Sequence, residues 1–122
     1  MIRLLIVENQ GMVSKGMRMR LNAEPGFFVI GETSNSEEAL ELAKSLCPDV
    51  VLIDIDMPQV DEIELVNQLH RFCPQSPVIF LSMQDDSITC ERAARAGVAA
   101  LVGKFLPADT LMAQIRQSCS IR

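Results

Sequence analysis

Residues 48–58, which read PDVVLIDIDMP, decide the fold of this chain. The four apolar residues at 50–53 are bounded by Pro48 and Asp49 on one side and by Asp54 on the other. A short apolar run of this kind is typical of a central strand in a parallel sheet, because both faces of such a strand are buried. Asp54 and Asp56 follow directly, so the pattern predicts a buried strand with carboxylates at its carboxyl end.

Similar short apolar runs occur four more times, and longer amphipathic segments separate them. Apolar residues in these segments recur every three or four positions, as Val13, Met17 and Leu21 do, which indicates helices. The alternation predicts an α/β fold with a doubly wound, five-stranded parallel sheet in the flavodoxin-like order 2-1-3-4-5 and five helices. The other four strands are predicted at residues 3–7, 27–31, 77–81 and 99–102.

Capping and turn residues mark the expected ends of the helices. Ser36 precedes two glutamates and an apolar helical pattern, and we expect it to be the N-cap of the second helix. Pro25, Pro48, Pro74 and Gly97 stand where helices are predicted to end. No internal repeat or linker interrupts the pattern, which predicts one domain over residues 1–122.

Composition and charge exclude several classes of function. The chain has 122 residues and a net charge of −5, which disfavours non-specific attraction to nucleic acids or anionic membranes. The longest apolar runs are far shorter than a membrane span, and the first residues do not resemble a signal peptide, so we expect a cytoplasmic protein. The four cysteines form no CxxC pair and are interpreted as reduced and structural. Met12, Met17 and Met19 are interpreted as core and helix-edge residues.

Polar residues follow four of the five predicted strands at their carboxyl ends. They are Glu8-Asn9 after the first strand, Asp54 and Asp56 after the third, Ser82 after the fourth and Lys104 after the fifth. In an open α/β sheet these ends face the ligand site. Carboxylate and amide oxygens are ligands for Mg²⁺, a carboxylate can act as a nucleophile, and a hydroxyl and an ammonium can bind phosphoryl oxygens. The set therefore predicts phosphoryl-transfer chemistry.

The whole pattern resembles the receiver domain of two-component response regulators, the CheY-like fold. The resemblance is carried by residues 4–9 (LLIVEN), by residues 48–58, and by Ser82 and Lys104. Gly31-Glu32 and residues 94–97 (ARAG) are similar to the NarL/FixJ branch.

The resemblance implies a role for each of these residues. Asp54 would be the phosphorylated aspartate, and Ser82 and Lys104 would contact the phosphoryl group. Glu8, Asn9, Asp54 and the backbone carbonyl of Asp56 would surround Mg²⁺. The domain would be a phosphoacceptor and not an enzyme.

The resemblance also implies partners. A sensor histidine kinase would be the phosphodonor, and transcription would be regulated through a C-terminal DNA-binding output module outside residues 1–122. A homodimer would form through helix 4, strand 5 and helix 5, or through helices 1 and 5. Glu91, Arg92 and Arg95 are candidate exposed residues of the first of these faces.

Four positions depart from the pattern of the family. Asn9 replaces an acidic metal ligand, which lowers the number of carboxylates in the pocket and predicts weaker Mg²⁺ binding. Met83 replaces a small residue beside the phosphorylation site, Leu101 replaces an aromatic switch residue, and Glu62 replaces a common glycine.

Two alternatives remain open at this stage. The departures would also suit a pseudo-receiver that works as a phosphorylation-independent dimerisation or interaction module. Asp54-Ile55-Asp56 further resembles the DxD motif of haloacid dehalogenase phosphohydrolases, although there the motif follows the first strand.

Overall fold

Five strands and five helices alternate along the part of the chain that the structure describes. The structure is a computed structural model, and it describes residues 1–58, 60–84, 86–104 and 107–120. The strands are β1 (Ile2–Val7), β2 (Phe27–Thr33), β3 (Val50–Asp54), β4 (Val78–Ser82) and β5 (Ala100–Gly103). The helices are α1 (Gly11–Asn22), α2 (Ser36–Leu46), α3 (Glu62–Phe72), α4 (Ser87–Ala96) and α5 (Ala108–Ser120).

The strands form one parallel sheet in the order β2-β1-β3-β4-β5. This confirms the predicted fold class and strand order. Each predicted strand overlaps an observed one, and the ends differ by at most two residues. β3 is buried along its whole length because β1 and β4 flank it and helices cover both faces.

Two apolar cores lie on opposite faces of the sheet, and alternate residues of each central strand divide between them. In β1, Leu5 and Val7 join the core beneath α2, α3 and α4, whereas Leu4 and Ile6 join the core beneath α1 and α5. This period of two is what a strand buried on both faces requires. Helices therefore cover both faces of the sheet, and polar residues lie at the ends of the strands.

Asn35, and not Ser36, is the N-cap of α2, so that sequence prediction was wrong by one residue. The Asn35 backbone is extended, and its side-chain oxygen accepts a hydrogen bond from the Glu38 backbone N–H at 2.7 Å. Ser36 is the first residue of the helix. The expected helix ends are confirmed at Gly97, whose φ of 76° suits glycine, and just before Pro48 and Pro74.

Several residues interpreted as core lie on the surface. Met12 and Met19 of α1 are exposed, at 88% and 62%, and only Met17 packs against a core. All four cysteines are free thiols, but Cys47 and Cys90 are exposed, so only part of the structural interpretation holds. Among the described residues, no helix combines the length and the apolar composition needed to cross a membrane.

Candidate functional site

The carboxyl ends of β1, β3, β4 and β5 bring four of the predicted residues to one place. The register pairs Val7 with Ile53, Asp54 with Leu81, and Ser82 with Gly103. The residues that end or follow these strands therefore lie side by side at one edge of the sheet. Glu8, Asp54 and Ser82 are all nearly inaccessible, with 3%, 2% and 1% of their surface exposed.

Lys104 joins the two buried carboxylates. Its Nζ lies 2.8 Å from Asp54 Oδ2 and 3.2 Å from Glu8 Oε2, and its side chain is only 8% exposed. Its backbone N–H also donates to the Ser82 carbonyl at 2.8 Å, which fixes the start of the side chain beside β4. One ammonium thus stands between two carboxylates in a water-poor pocket, where electrostatic interactions are strong.

Burial and charge change the protonation of this group of side chains. Burial raises the pKa of the Glu8 carboxyl to about 7, and the hydrogen bond and negative charge of Asp54 act in the same direction, against the opposing effect of Lys104. Burial lowers the pKa of the Lys104 ammonium, but hydrogen bonding and charge from Asp54 and Glu8 outweigh it, and the pKa is raised. The lysine therefore stays charged, while Glu8 titrates near neutral pH.

The second oxygen of Asp54 is held by the backbone. Asp54 Oδ1 accepts a hydrogen bond from the Asp56 N–H at 2.8 Å, which orients the carboxylate. The Asp56 side chain in turn accepts from the Met83 N–H at 2.9 Å and so connects the loop after β3 to the loop after β4. The resemblance implied only a backbone role for Asp56, and the position of this residue two places after Asp54 was the available signal for the side-chain link.

The Ser82 hydroxyl lies at the start of the β4–α4 loop. Its Oγ accepts a hydrogen bond from the Gln84 N–H at 3.0 Å, so the hydroxyl helps to shape the loop that leads into α4. Asp86 then caps α4 by accepting from the Thr89 N–H at 2.8 Å. A change in the position of the Ser82 hydroxyl would therefore change the backbone of the loop where α4 begins.

The structure brings two candidate metal-ligating carboxylates, Glu8 and Asp54, together at this edge of the sheet. Within the described residues, Glu8 Oε2 is buried and makes no hydrogen bond of acceptable geometry, although Lys104 is close. Asn9 is exposed and lines a cavity of about 360 Å³ together with Glu8 and Glu38. No group of three His, Cys, Asp or Glu side chains suited to a metal occurs in the described part of the chain.

Three other departures noted in the sequence have clear positions. Met83 is 54% exposed, and Leu101 is partly buried against the core beneath α2, α3 and α4. Glu62, the first residue of α3, accepts a hydrogen bond from Arg92 Nε of α4 at 2.9 Å. Arg92 also donates to the Ile55 carbonyl at 3.4 Å, so it ties α4 to α3 and is not the free surface residue that the sequence suggested.

Comparisons with known proteins agree with the fold. The family model described as the response regulator receiver domain matches residues 4–116. The transcriptional regulatory protein DegU of Brevibacillus brevis is 30% identical over 94% of this chain and 49% of its own length. The transcriptional regulatory protein LiaR of Bacillus subtilis is 38% identical over 72% of this chain and 43% of its own length.

A solved structure shares the same fold. The receiver domain of the response regulator NarL from Mycobacterium tuberculosis superposes with a TM-score of 0.89 at 22% identity, over 99% of this chain and 98% of that chain. This chain spans about half the length of the curated transcriptional regulators that it matches. The family match covers nearly all of the residues between β1 and α5. The chain belongs to the response regulator receiver domain family.

Proposed function

We propose that Asp54 accepts a phosphoryl group and that the domain uses this modification to change its contacts with other proteins. The observation that carries the proposal is the bridging of Asp54 and Glu8 by the buried Lys104 ammonium. Such an arrangement places a positive charge where phosphoryl oxygens would arrive. A buried ionic group of this kind is costly, so a role in chemistry explains it better than a role in stability.

The transfer needs only a nucleophile and charge stabilisation. A carboxylate oxygen of Asp54 attacks the phosphorus of the donor, the bond from phosphorus to the donor's leaving atom breaks, and an acyl phosphate forms. With acetyl phosphate the leaving group is acetate, and with a phosphohistidine it is the imidazole of a histidine kinase. Lys104 then exchanges its contact with the carboxylate for one with a phosphoryl oxygen, and the Ser82 hydroxyl donates to another.

Glu8, Asn9, Asp54 and the Asp56 carbonyl would hold Mg²⁺ at this site. The ion would neutralise charge on the phosphoryl oxygens during transfer. Because the pocket provides two carboxylates and one amide, we expect weaker Mg²⁺ binding than in a pocket with three carboxylates. Glu8 contributes best as a ligand when it is ionised, so Mg²⁺ binding is expected to strengthen as the pH rises through about 7.

The response would pass from the site to α4. Phosphorylation adds charge and three acceptor oxygens beside Ser82. When the Ser82 hydroxyl turns toward them, its hydrogen bond with the Gln84 N–H is lost, and the loop before α4 rearranges. The bond between Asp56 and the Met83 N–H belongs to the same loop and would change with it.

The family and the relatives suggest the wider role. We propose that residues 1–122 are the receiver of a transcriptional regulator, that a sensor histidine kinase in the cytoplasm supplies the phosphoryl group, and that DNA is bound only by an output module outside this chain. The transcriptional regulatory proteins among its relatives are about twice its length.

Dimerisation is proposed through α4, β5 and α5 or through α1 and α5. Each face offers an exposed apolar residue on its own helix, Ile88 on α4 and Met19 on α1. Sedimentation analysis of Ile88→Glu and Met19→Glu after phosphorylation identifies the face, because only the variant within the interface stays monomeric. A phosphorylated wild type that stays monomeric would overturn the proposed dimer.

The test of the proposed function is phosphorylation in solution. The protein is incubated with acetyl phosphate and Mg²⁺, and the intact mass is recorded beside that of a sample with a chelator. We expect one phosphoryl adduct that depends on Mg²⁺ and is lost on addition of hydroxylamine, which cleaves acyl phosphates. An unmodified mass under conditions that label an ordinary receiver would overturn the proposal and would support a phosphorylation-independent interaction module.

A further inference from the structure

Two cysteines end neighbouring helices at the edge of the sheet opposite to Asp54. Cys47 is the C-cap of α2 and Cys73 is the C-cap of α3. Each cysteine is followed by a proline and then by the next strand, and these strands, β3 and β4, are direct neighbours in the sheet. The chain therefore brings two thiols to one edge from positions far apart in sequence.

A shared hydrogen-bond acceptor shows how close the two residues are. The carbonyl oxygen of Ala43 accepts from the Cys47 backbone N–H at 2.9 Å and from the Cys73 thiol at 3.4 Å. The Cys73 thiol and the Cys47 backbone N–H thus meet at one carbonyl oxygen. The Cys47 thiol is turned along its own helix and contacts the Lys44 carbonyl at 3.8 Å, and rotation about its Cα–Cβ bond redirects it.

The electrostatics of Cys73 are consistent with this proximity. Burial raises the pKa of the Cys73 thiol, and the nearby Cys47 raises it further, while the ammonium of Lys44 opposes both effects. The charge of Lys44 stays near the pair because its Nζ lies 3.9 Å from the centre of the Phe72 ring. Cys47 is therefore close enough to affect the ionisation of the Cys73 thiol.

The two thiols differ in accessibility, and both line one cavity. Cys47 is exposed, whereas Cys73 is 9% exposed. A cavity of about 300 Å³ is lined by Cys47, Cys73 and the surrounding loop residues. One thiol is thus open to attack on a solute, and the other is held behind it, which is the arrangement of an attacking and a resolving cysteine.

We propose that Cys47 and Cys73 form a redox-active pair that closes to a disulfide by exchange with a small disulfide such as oxidised glutathione. The Cys47 thiolate attacks one sulfur of glutathione disulfide, the S–S bond breaks, and a glutathione thiolate leaves. The Cys73 thiolate then attacks the Cys47 sulfur and displaces a second glutathione thiolate. The two thiol protons pass to the two glutathione molecules, so the protein is oxidised by two electrons and the glutathione disulfide is reduced.

The disulfide would join the carboxyl ends of α2 and α3 without involving the Asp54 pocket. It would restrict the unfolded chain and so raise the melting temperature. In a reducing compartment a disulfide of this kind is transient, and it serves as a signal and not as a permanent crosslink. This modification is independent of the phosphorylation proposed above.

The test is thiol mapping after exposure of the folded protein to oxidised glutathione. Peptide mass mapping without reduction is expected to recover the Cys47 and Cys73 peptides joined, with a mass two hydrogen atoms below the sum of the two separate peptides. Cys90 is the matched internal control, because it is equally an exposed thiol but lies on α4. We expect Cys90 to keep a glutathionyl group while Cys47 does not.

Variants separate the two steps of the reaction. Cys73→Ser, whose hydroxyl can still donate to the Ala43 carbonyl, is expected to trap a stable glutathionyl group on Cys47. Cys90→Ser is expected to leave the crosslink unchanged. A wild-type protein in which Cys47 retains glutathione as Cys90 does, or in which Cys47 pairs with another molecule, would overturn the proposal, and this result needs no variant to fold.

Discussion

Buried polar residues have different kinds of partner at the two edges of the sheet. At the amino edge, Asp49 Oδ2 accepts the Arg3 backbone N–H at 2.8 Å, and the buried Ser76 hydroxyl donates to the Pro48 carbonyl at 2.5 Å. At the carboxyl edge, Glu8 and Asp54 are buried together around one lysine, whose Nζ lies 3.2 Å from Glu8 Oε2 and 2.8 Å from Asp54 Oδ2. The amino edge is organised for stability, and the carboxyl edge keeps charges that stability alone does not require.

The difference has a physical origin in what each group loses on burial. A neutral hydroxyl or a backbone N–H that finds a partner in the folded chain makes a modest net contribution to stability. Two carboxylates that share one ammonium leave a net negative charge in a poorly solvated pocket, which raises the free energy of the folded state. The comparison therefore predicts that substitutions at the amino edge change stability and that substitutions at the carboxyl edge change chemistry or its pH dependence.

The largest effect is expected from Lys104→Met, which removes the cation between two buried carboxylates. At pH 8 the free energy of unfolding should fall by about 3 kcal/mol, because an uncompensated buried charge costs several kcal/mol. The loss should be smaller at pH 5, where Glu8 is protonated. Denaturant unfolding at the two pH values measures the difference.

Lys44→Met is the matched control for this substitution. Lys44 is exposed and lies over the Phe72 ring, so its replacement should cost no more than about 1 kcal/mol, with little dependence on pH. Equal losses in the two variants would show that the Lys104 ammonium does not compensate the pocket.

The next largest effect is expected from Glu8→Gln, and it depends on pH. Because the folded-state pKa of Glu8 is raised to about 7, protonated Glu8 contributes stability that is fully present below its unfolded pKa near 4.5 and is lost as the pH rises through 7. With Mg²⁺ chelated, wild type should lose about 2 kcal/mol relative to Glu8→Gln between pH 5 and pH 8.

Unfolding curves of both proteins across this range, recorded in the presence of a chelator, give the comparison. Parallel pH profiles would mean that burial and the charge of Asp54 do not raise the pKa of the Glu8 carboxyl. The same variant should bind Mg²⁺ more weakly than wild type, because the amide carries no negative charge.

A smaller effect, confined to stability, is expected from Ser76→Ala at the amino edge. Removal of the hydroxyl leaves the Pro48 carbonyl without this donor and should lower the free energy of unfolding by about 1 kcal/mol. Labelling by acetyl phosphate should keep its wild-type rate, because Ser76 lies at the other end of the strands. A slower labelling rate in a folded variant would show that the amino edge also affects phosphorylation.

The smallest effect is expected from Met83→Ala at the carboxyl edge. The Met83 side chain is exposed beside the pocket, while its backbone N–H holds Asp56, so truncation removes bulk and keeps the hydrogen bond. We expect unchanged stability and a labelling rate a few-fold higher, since a donor reaches Asp54 more easily. An unchanged rate would show that the thioether does not limit access.

Much of the carboxyl edge could be predicted because strand ends are simple to locate. The apolar run at residues 50–53 ends where Asp54 begins, and parallel strands necessarily bring their carboxyl ends together. The fold, the strand order and the closeness of Asp54, Ser82 and Lys104 along the edge follow from that rule. The roles of these residues in phosphorylation remain predictions.

The contacts that the sequence did not predict depend on side-chain reach and local backbone angles. Lys104 contacts Glu8 as well as Asp54. The contact with Glu8 depends on the positions of β1 and β5 in three dimensions. Asn35 and Ser36 are both good N-cap residues, and the extended backbone at Asn35 makes the choice. Met12 and Met19 have the apolar character of core residues, but they lie on the exposed part of α1.

The most direct test of the contrast between the edges measures stability and phosphorylation together in Asp54→Asn and Asp49→Ala. The account predicts that Asp54→Asn is at least as stable as wild type and gives no phosphoryl adduct with acetyl phosphate and Mg²⁺. Asp49→Ala should lose about 1 kcal/mol of unfolding free energy with its hydrogen bond to Arg3, and should be labelled normally. A phosphoryl adduct on Asp54→Asn, or a failure of folded Asp49→Ala to be labelled, would contradict the account.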